Sequence, residues 1–514
     1  KMTEDKNKAI EKLRLEIDKN IETAVEMAQH CGLLEFLYFI YQLHWTRLLH
    51  LFPNAKNQNP QMLNVYTNTI EESMKHIISI TAKFGHWGFT IPKEKGLPLL
   101  NIKLVQLLLK QVNLINSKYE TESMIQLFDV EVSGERNQLL KIDMSNAETD
   151  SEVKKLFNYF LRIDEDNDIK KSSKKNQSAL IQNFKNEYKP FSDLFEEELG
   201  VTIDEFCWLN EQLLLKVTDG IKSKQHLFDL LPNGNVDVQS EATFIHFSQC
   251  FLQDKKNLLD GFDPKFQSLI DRLTFKSEQF DEKQLRFHQV TRQPVFEHKS
   301  MFVISPELVL DSLFTNIHYS LIESSATKDK YIARQASLFL DKVAKIARNY
   351  GYTEMERERD LYEGKIQIGD IDIILKNDQD HYLLIEAKNH VLPMDIYFKD
   401  VVKTKEHLSY LQNEWEKKVR KRSEHLLNSH SKYAIPKDHL YIVDSRFPEI
   451  ISHYSDILVL SLQEFDVWLK KYGTITTFVD FHHEHYETRE SKFTEEELEE
   501  MQSSNLVFGR FAKE

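Results

Sequence analysis

At 514 residues the chain is long enough for roughly two to four cores, and its 14 glycines and 12 prolines are too few for a turn-rich all-β architecture, so helix should dominate. A formal net charge of −15 excludes a chain that is basic throughout. The three cysteines, Cys31, Cys207 and Cys250, are too widely spaced for a metal knuckle or a disulfide framework. No apolar run reaches the ~18 residues of a membrane span, and the polar start Lys-Met-Thr-Glu-Asp-Lys carries no leader pattern, so a cytoplasmic protein without membrane contact is expected.

Residues 1–115 read as helical, with apolar residues at three- and four-residue spacing through Leu33, Leu34, Phe36, Leu37, Ile40, Leu43, Leu48 and Leu49. Gly85-His86-Trp87-Gly88 and the Pro92–Pro98 segment interrupt that pattern, and Trp87 reads as a packing anchor. Residues 116–180 are polar and read as a solvated loop or helix end. Thr202-Ile-Asp-Glu205 has the spacing of a capping box and opens a helix through Leu215. Between Gly261 and Pro306 only Gln293–Phe296 and His298–Ile304 suggest short strands.

The pattern changes near residue 310. A helix over 329–350 should end at Gly351, followed by an extended, charged stretch over 352–362. Two strands, 366–376 and 381–388, flank the turn signal Asn377-Asp378-Gln379-Asp380. A long helix over 396–428, strands at 439–444 and 457–460, and a short helix near 463–471 complete a mixed α/β domain. Charge follows the same division. Residues 320–480 hold 24 Lys and Arg against 26 Asp and Glu, while the rest holds 42 against 55.

The hairpin carries the chemistry. Its two apolar strands read Gly-Asp370-Ile-Asp372 and Glu386-Ala-Lys388, placing charges where a buried sheet disfavours them unless they pair or hold a cation. Asp370 and Asp372 share one face of their strand, and Glu386 and Lys388 share one face of theirs. A pairing centred on Gln379 sets Asp372 directly across from Glu386, with Cβ atoms about 5 Å apart. Two carboxylates at that separation suit a hard divalent ion such as Mg²⁺. A one-residue slip would undo the arrangement.

Gly-Asp-Ile-Asp followed by Glu-Ala-Lys resembles the PD-(D/E)xK nuclease superfamily, which includes restriction endonucleases and Holliday-junction resolvases. The order helix, strands, helix, strand over about 329–471 is similar to that family's core. The resemblance implies that Asp372 and Glu386 ligate Mg²⁺, with Mn²⁺ as a substitute, that the Ala387 carbonyl adds a ligand, and that Lys388 orients or activates the attacking water. It gives Asp370 a supporting role and makes Asp341 the nearest candidate for a further carboxylate from the preceding helix. Tyr410 and Gln412 stand on the following helix, where relatives carry a glutamine or tyrosine.

That helix also bears Lys417-Lys418-Val-Arg420-Lys421-Arg422, with Lys403 and Lys405 further upstream. These cations are candidates for phosphate contact. A solvated face balanced by Glu414, Glu416 and Glu424 accounts for them equally well. His482, His483 and His485 lack a fourth ligand at zinc spacing and read as a loop.

The expected organisation is α+β: a large all-α N-terminal part, in two regions (1–180 and 181–310), then a restriction-endonuclease-like domain (311–475) and an acidic tail (476–514). The expected function is Mg²⁺-dependent phosphodiester hydrolysis, with DNA favoured over RNA on family grounds. The helical part would regulate it or bind a protein partner, a homodimer would serve double-strand cutting, and prokaryotic antiviral defence is the context suggested by analogy. The alternative is a non-catalytic interaction protein whose nuclease-like domain only binds nucleic acid.

Overall fold

The computed structural model describes residues 4–48, 60–86, 100–133, 139–143, 150–172, 177–224, 241–284 and 289–471. The expected tail (476–514), including His482, His483 and His485, lies outside them, as does Trp87. Among the described residues the chain is mixed α and β, and no helix is long and apolar enough to cross a membrane.

The chain partitions into two compact units that interleave in sequence. One comprises Lys1–Glu11, Glu120–Ser173 and Ile332–Glu514, the other Lys12–Tyr119 and Lys174–Tyr331. This differs from the linear division expected, because residues 120–173 supply a helix to the C-terminal core.

The second unit is mainly helical, with Leu33–Leu48, Ile203–Ser223 and Pro306–Glu323 among its buried helices. The capping box is present: Glu205 N–H donates to Thr202 Oγ1 (3.1 Å) and Thr202 N–H to the Glu205 carboxylate (2.9 Å), and the helix runs on to Ser223. Arg47 bridges Glu71 (2.7 Å) and Asp311 (3.0 Å), Lys75 also reaches Asp311 (3.2 Å), and His44 meets the buried Glu307 at 2.6 Å.

The N-terminal part is not all-α. Strands β1 (Asp129–Ser133) and β2 (Leu139–Asp143) form an antiparallel hairpin. β3 (Leu252–Asp254), β4 (Val295–His298) and β5 (Met301–Ile304) form a small sheet in the order β3-β5-β4, with β4 and β5 where short strands were suspected.

In the first unit, β6 (Tyr352–Glu363), β7 (Ile366–Asn377), β8 (Tyr382–Lys388), β9 (Leu440–Ser445) and β10 (Val459–Ser461) form a mixed sheet in the order β10-β9-β8-β7-β6. The β6-β7-β8 meander is antiparallel; β8, β9 and β10 are parallel. The charged stretch after Gly351 is therefore a full edge strand. β8 and β9 are joined by Val401–Leu411, a π-helical turn over Gln412–Glu416 and the helix Lys417–Tyr433, a helical crossover of the kind parallel pairing requires.

Helices cover both faces of the sheet. Phe339, Leu340, Val343 and Ala347 from Lys328–Arg348, with Phe465 and Trp468 from Leu462–Lys471, pack with Ile373, Leu375, Leu383 and Ile385. On the other face, Leu408, Leu411, Trp415, Val419 and Leu426 pack with Ile374 and Leu384. The helix Ser151–Ser172 joins this second layer through Val153, Leu156, Tyr159, Phe160 and Ile163. Residues 151–172 of the stretch 116–180, which read as a solvated loop or helix end, are thus an amphipathic helix, whose polar composition hid one apolar stripe. Arg162 of that helix donates twice to Glu464 (Nε and Nη2, both 2.8 Å).

Candidate active site

The turn fixes the register. Asn377 Oδ1 accepts from the amides of Gln379 and His381, and β7 pairs with β8 as Lys376↔Tyr382, Leu375↔Leu383, Ile374↔Leu384 and Ile373↔Ile385. This is the Gln379-centred pairing. Ile371, Ile373, Leu383 and Ile385 are all buried, so the hairpin is central rather than exposed.

The ladder stops one position short of Asp372 and Glu386. There the Asp372 side chain takes over, its Oδ2 accepting the Ala387 amide at 2.6 Å. The N–H and C=O of one strand residue point to the same edge. The Ala387 carbonyl therefore faces β7 as its amide does. By alternation Asp372 and Glu386 fall on the face of Ile374 and Leu384.

Glu386 is 4% exposed and fully engaged. Lys388 Nζ donates to its Oε1 (2.6 Å), the Arg422 guanidinium donates to its Oε2, and the Tyr441 hydroxyl reaches the same oxygen at 3.3 Å. Asp370 stands at the rim, 3.7 Å from Arg422 Nη2. Three carboxylates thus face two cations, and both cations favour Glu386. Asp372 is left in deficit. Burial, then the charge of Glu386, pushes its carboxyl pKa up to about 6, against the opposing pull of the Ala387 amide and Lys388. Burial and Glu386 likewise raise the Tyr441 hydroxyl. Burial would lower the Arg422 pKa, but Glu386, Tyr441 and Asp370 together outweigh it and the guanidinium stays charged.

The structure brings Asp370, Asp372, Glu386, Ala387 and Lys388 together. It places Asp341 elsewhere: that side chain is 56% exposed and pairs with Arg357 at 2.7 Å, on the helix that covers the opposite face of the sheet. Arg422 also differs from its expected place among the exposed phosphate contacts. With Trp415, Val419 and Leu426 it forms the inward stripe of its helix, and it is 7% exposed. The 415/419/422/426 spacing already carried that signal.

The remaining cations lie on the surface, mostly beside acceptors. Lys403 pairs with Glu406 (2.8 Å), Lys405 with Glu152 (3.5 Å), Lys418 with Glu414 (2.7 Å), and Arg420 with Glu416 (2.6 Å) and Asp456. Lys417 donates to Asn413 (2.5 Å), and Lys421 is exposed. Tyr410 is exposed and stacks on His407.

Of the residues of the site, Tyr441 carried no signal in the sequence, and Gly369 carried only its place in the Gly-Asp-Ile-Asp stretch. Gly369 has φ +140°, and a Cβ there would lie 2.6 Å from Arg422 Cζ. The glycine of the Gly-Asp-Ile-Asp stretch thus admits the guanidinium that binds Glu386. The donor set of Asp372, Glu386 and the Ala387 carbonyl is all oxygen, which suits Mg²⁺ or Mn²⁺, and the uncompensated charge at Asp372 fits a cation there. No protein-family model matches the chain, and no curated protein or solved structure matches it either.

Proposed function

We propose that the first unit is a metal-dependent nuclease domain that hydrolyses phosphodiester bonds in nucleic acid, with DNA as the favoured substrate. The observation that carries this reading is the meeting of Asp372 and Glu386 on one sheet face, beside the Ala387 backbone and the Lys388 ammonium. The mixed sheet with a helical layer on each face supports the resemblance to PD-(D/E)xK nucleases.

Asp372, Glu386 and the Ala387 carbonyl would hold the divalent ion, which when bound supplies a Lewis acid and a water of lowered pKa. Lys388, held at Glu386 Oε1, is placed to orient a water or a phosphate oxygen. The buried Arg422 adds fixed positive charge where the phosphorane-like transition state gains negative charge.

One observation favours the second reading, a domain that binds nucleic acid without cutting it. Both Glu386 oxygens are already occupied by protein donors, Arg422 among them, as in a purely structural ion pair. Purified full-length protein with plasmid DNA and Mg²⁺ or Mn²⁺, beside Glu386→Ala and Lys388→Ala, separates the two. Cleavage by the parent that falls at least about 100-fold in both variants supports the nuclease. Binding without cleavage in either metal supports the second reading.

A further inference from the structure

We infer that His390, His407 and Glu449 form a second metal site, selective for a zinc-class transition-metal ion and separate from the carboxylates of β7 and β8. The three side chains come from three places in the first unit: the segment leaving β8, the helix Val401–Leu411, and the segment following β9. Their ligand atoms all lie within 4.8 Å of one another.

His390 Nε2 stands 2.7 Å from Glu449 Oε1, and His407 Nε2 stands 2.9 Å from Glu449 Oε2. The second has hydrogen-bond geometry, whereas the first is an ion-pair contact without that alignment. Neither ring nitrogen of His390 has a hydrogen-bond partner, and neither does Glu449 Oε1, a buried oxygen on a side chain with no exposed surface. Two polar atoms held at 2.7 Å without an aligned proton between them are unfavourable as a donor–acceptor pair. The arrangement is natural for two ligands of one ion. Tetrahedral zinc bonds of about 2.0–2.2 Å hold neighbouring ligand atoms about 3.3 Å apart, so a small outward shift of the imidazoles from these distances admits the ion.

The donor types choose the metal. Two imidazoles with one carboxylate suit zinc and its first-row neighbours, whereas Mg²⁺ and Ca²⁺ take oxygen. Three protein ligands leave a coordination position open. The His390 side chain is 30% exposed, so an ion can enter from its side. Trp415, edge-on to the His390 ring at 5.1 Å, and Tyr410, stacked on His407, wall the site with aromatic surface. His390 lies two residues beyond Lys388, whose carbonyl accepts the Arg446 amide at 3.1 Å. An ion here would tie the exit of β8 to the segment that carries Glu449.

The test uses the full chain, stripped with a chelator and dialysed, then titrated with Zn²⁺ alone against a competing indicator, with bound metal counted by mass spectrometry. The expected result is one tight equivalent, lost in His407→Ala and weakened at least about 10-fold in Glu449→Gln. It should persist in Asp372→Asn and in a variant with His482, His483 and His485 all replaced by Ala. Co²⁺ substitution adds an absorption spectrum that should change in His390→Ala, the most exposed ligand and the variant least at risk of misfolding. Absence of a tight equivalent in the parent, its retention in both His407→Ala and His390→Ala, or its loss in the tail variant would overturn the assignment.

Discussion

The Arg422 guanidinium occupies the space that a side chain on Gly369 would need, with Cζ 2.6 Å from the position of that absent Cβ. Gly369→Ala should therefore expel Arg422 and strand Glu386. Breaking a buried ion pair costs about 3–5 kcal/mol, added to the strain of alanine at φ +140°. Gly364→Ala is the control, because Gly364 also has a positive φ (+63°) but nothing within 4 Å of its missing Cβ. Urea unfolding should show the first variant much less stable than the second. Equal losses would mean that backbone strain alone is at work.

Asp372 sets a pH dependence whose sign follows from its raised pKa. The folded value of about 6 exceeds the ordinary 3.8, so the folded state holds this proton more tightly than the unfolded chain. Its contribution is most favourable below about pH 4 and is lost as pH rises through 6, a penalty of ~3 kcal/mol. Asp372→Asn should thus be more stable than the parent at pH 7.5, with the gap closing toward pH 4. Millimolar Mg²⁺ should raise the melting temperature of the parent and leave the variant unmoved. A gap that does not vary with pH would refute the assignment of the charge deficit to this residue.

Asp444 makes the same kind of statement more strongly. It is fully buried on β9, neither carboxyl oxygen has a hydrogen-bond partner, and burial, aided by Glu464, raises its pKa well above the ordinary value. The folded state binds this proton more tightly than the unfolded chain does. Asp444→Asn should stabilise the protein at pH 7 by more than about 1 kcal/mol and lose that advantage in acid. Parallel denaturation curves at pH 7 and pH 4 decide the point.

The charge network of the second unit should be far more sensitive than the surface pairs. Arg47→Met leaves Asp311 and Glu71 short of their shared partner and should cost about 3–5 kcal/mol. Lys403→Ala breaks only the exposed pair with Glu406 and should shift stability by less than about 1 kcal/mol. Denaturant midpoints for the two variants measure the contrast directly.

Legibility in the sequence followed physical locality. The β7–β8 hairpin was readable because its turn residues, apolar alternation and register all lie within 25 positions, and Asp372 and Glu386 meet as that register requires. Arg422 lies in a run of exposed cations that suggests the surface, yet its spacing from Trp415, Val419 and Leu426 is that of the buried stripe. The helix Ser151–Ser172 was hidden by its polar majority. β6 read only as extended, since an exposed edge strand rich in Glu and Arg lacks a clear apolar alternation. His390, His407 and Glu449 had no signal to offer. The last two are 42 residues apart, and only the crossover between β8 and β9 brings them together.

The bidentate contact between Arg162 and Glu464 joins residues 302 apart in the chain. During translation at ~5–20 residues per second, the guanidinium waits roughly 15–60 s for its carboxylate to be made. The later part of the second unit, Lys174–Tyr331, leaves the ribosome within that interval. The stripe of Ser151–Ser172 must stay unburied, or lie against transient surfaces, until the sheet that receives it exists. A chaperone that shields the apolar stripe of an amphipathic helix would find a target there.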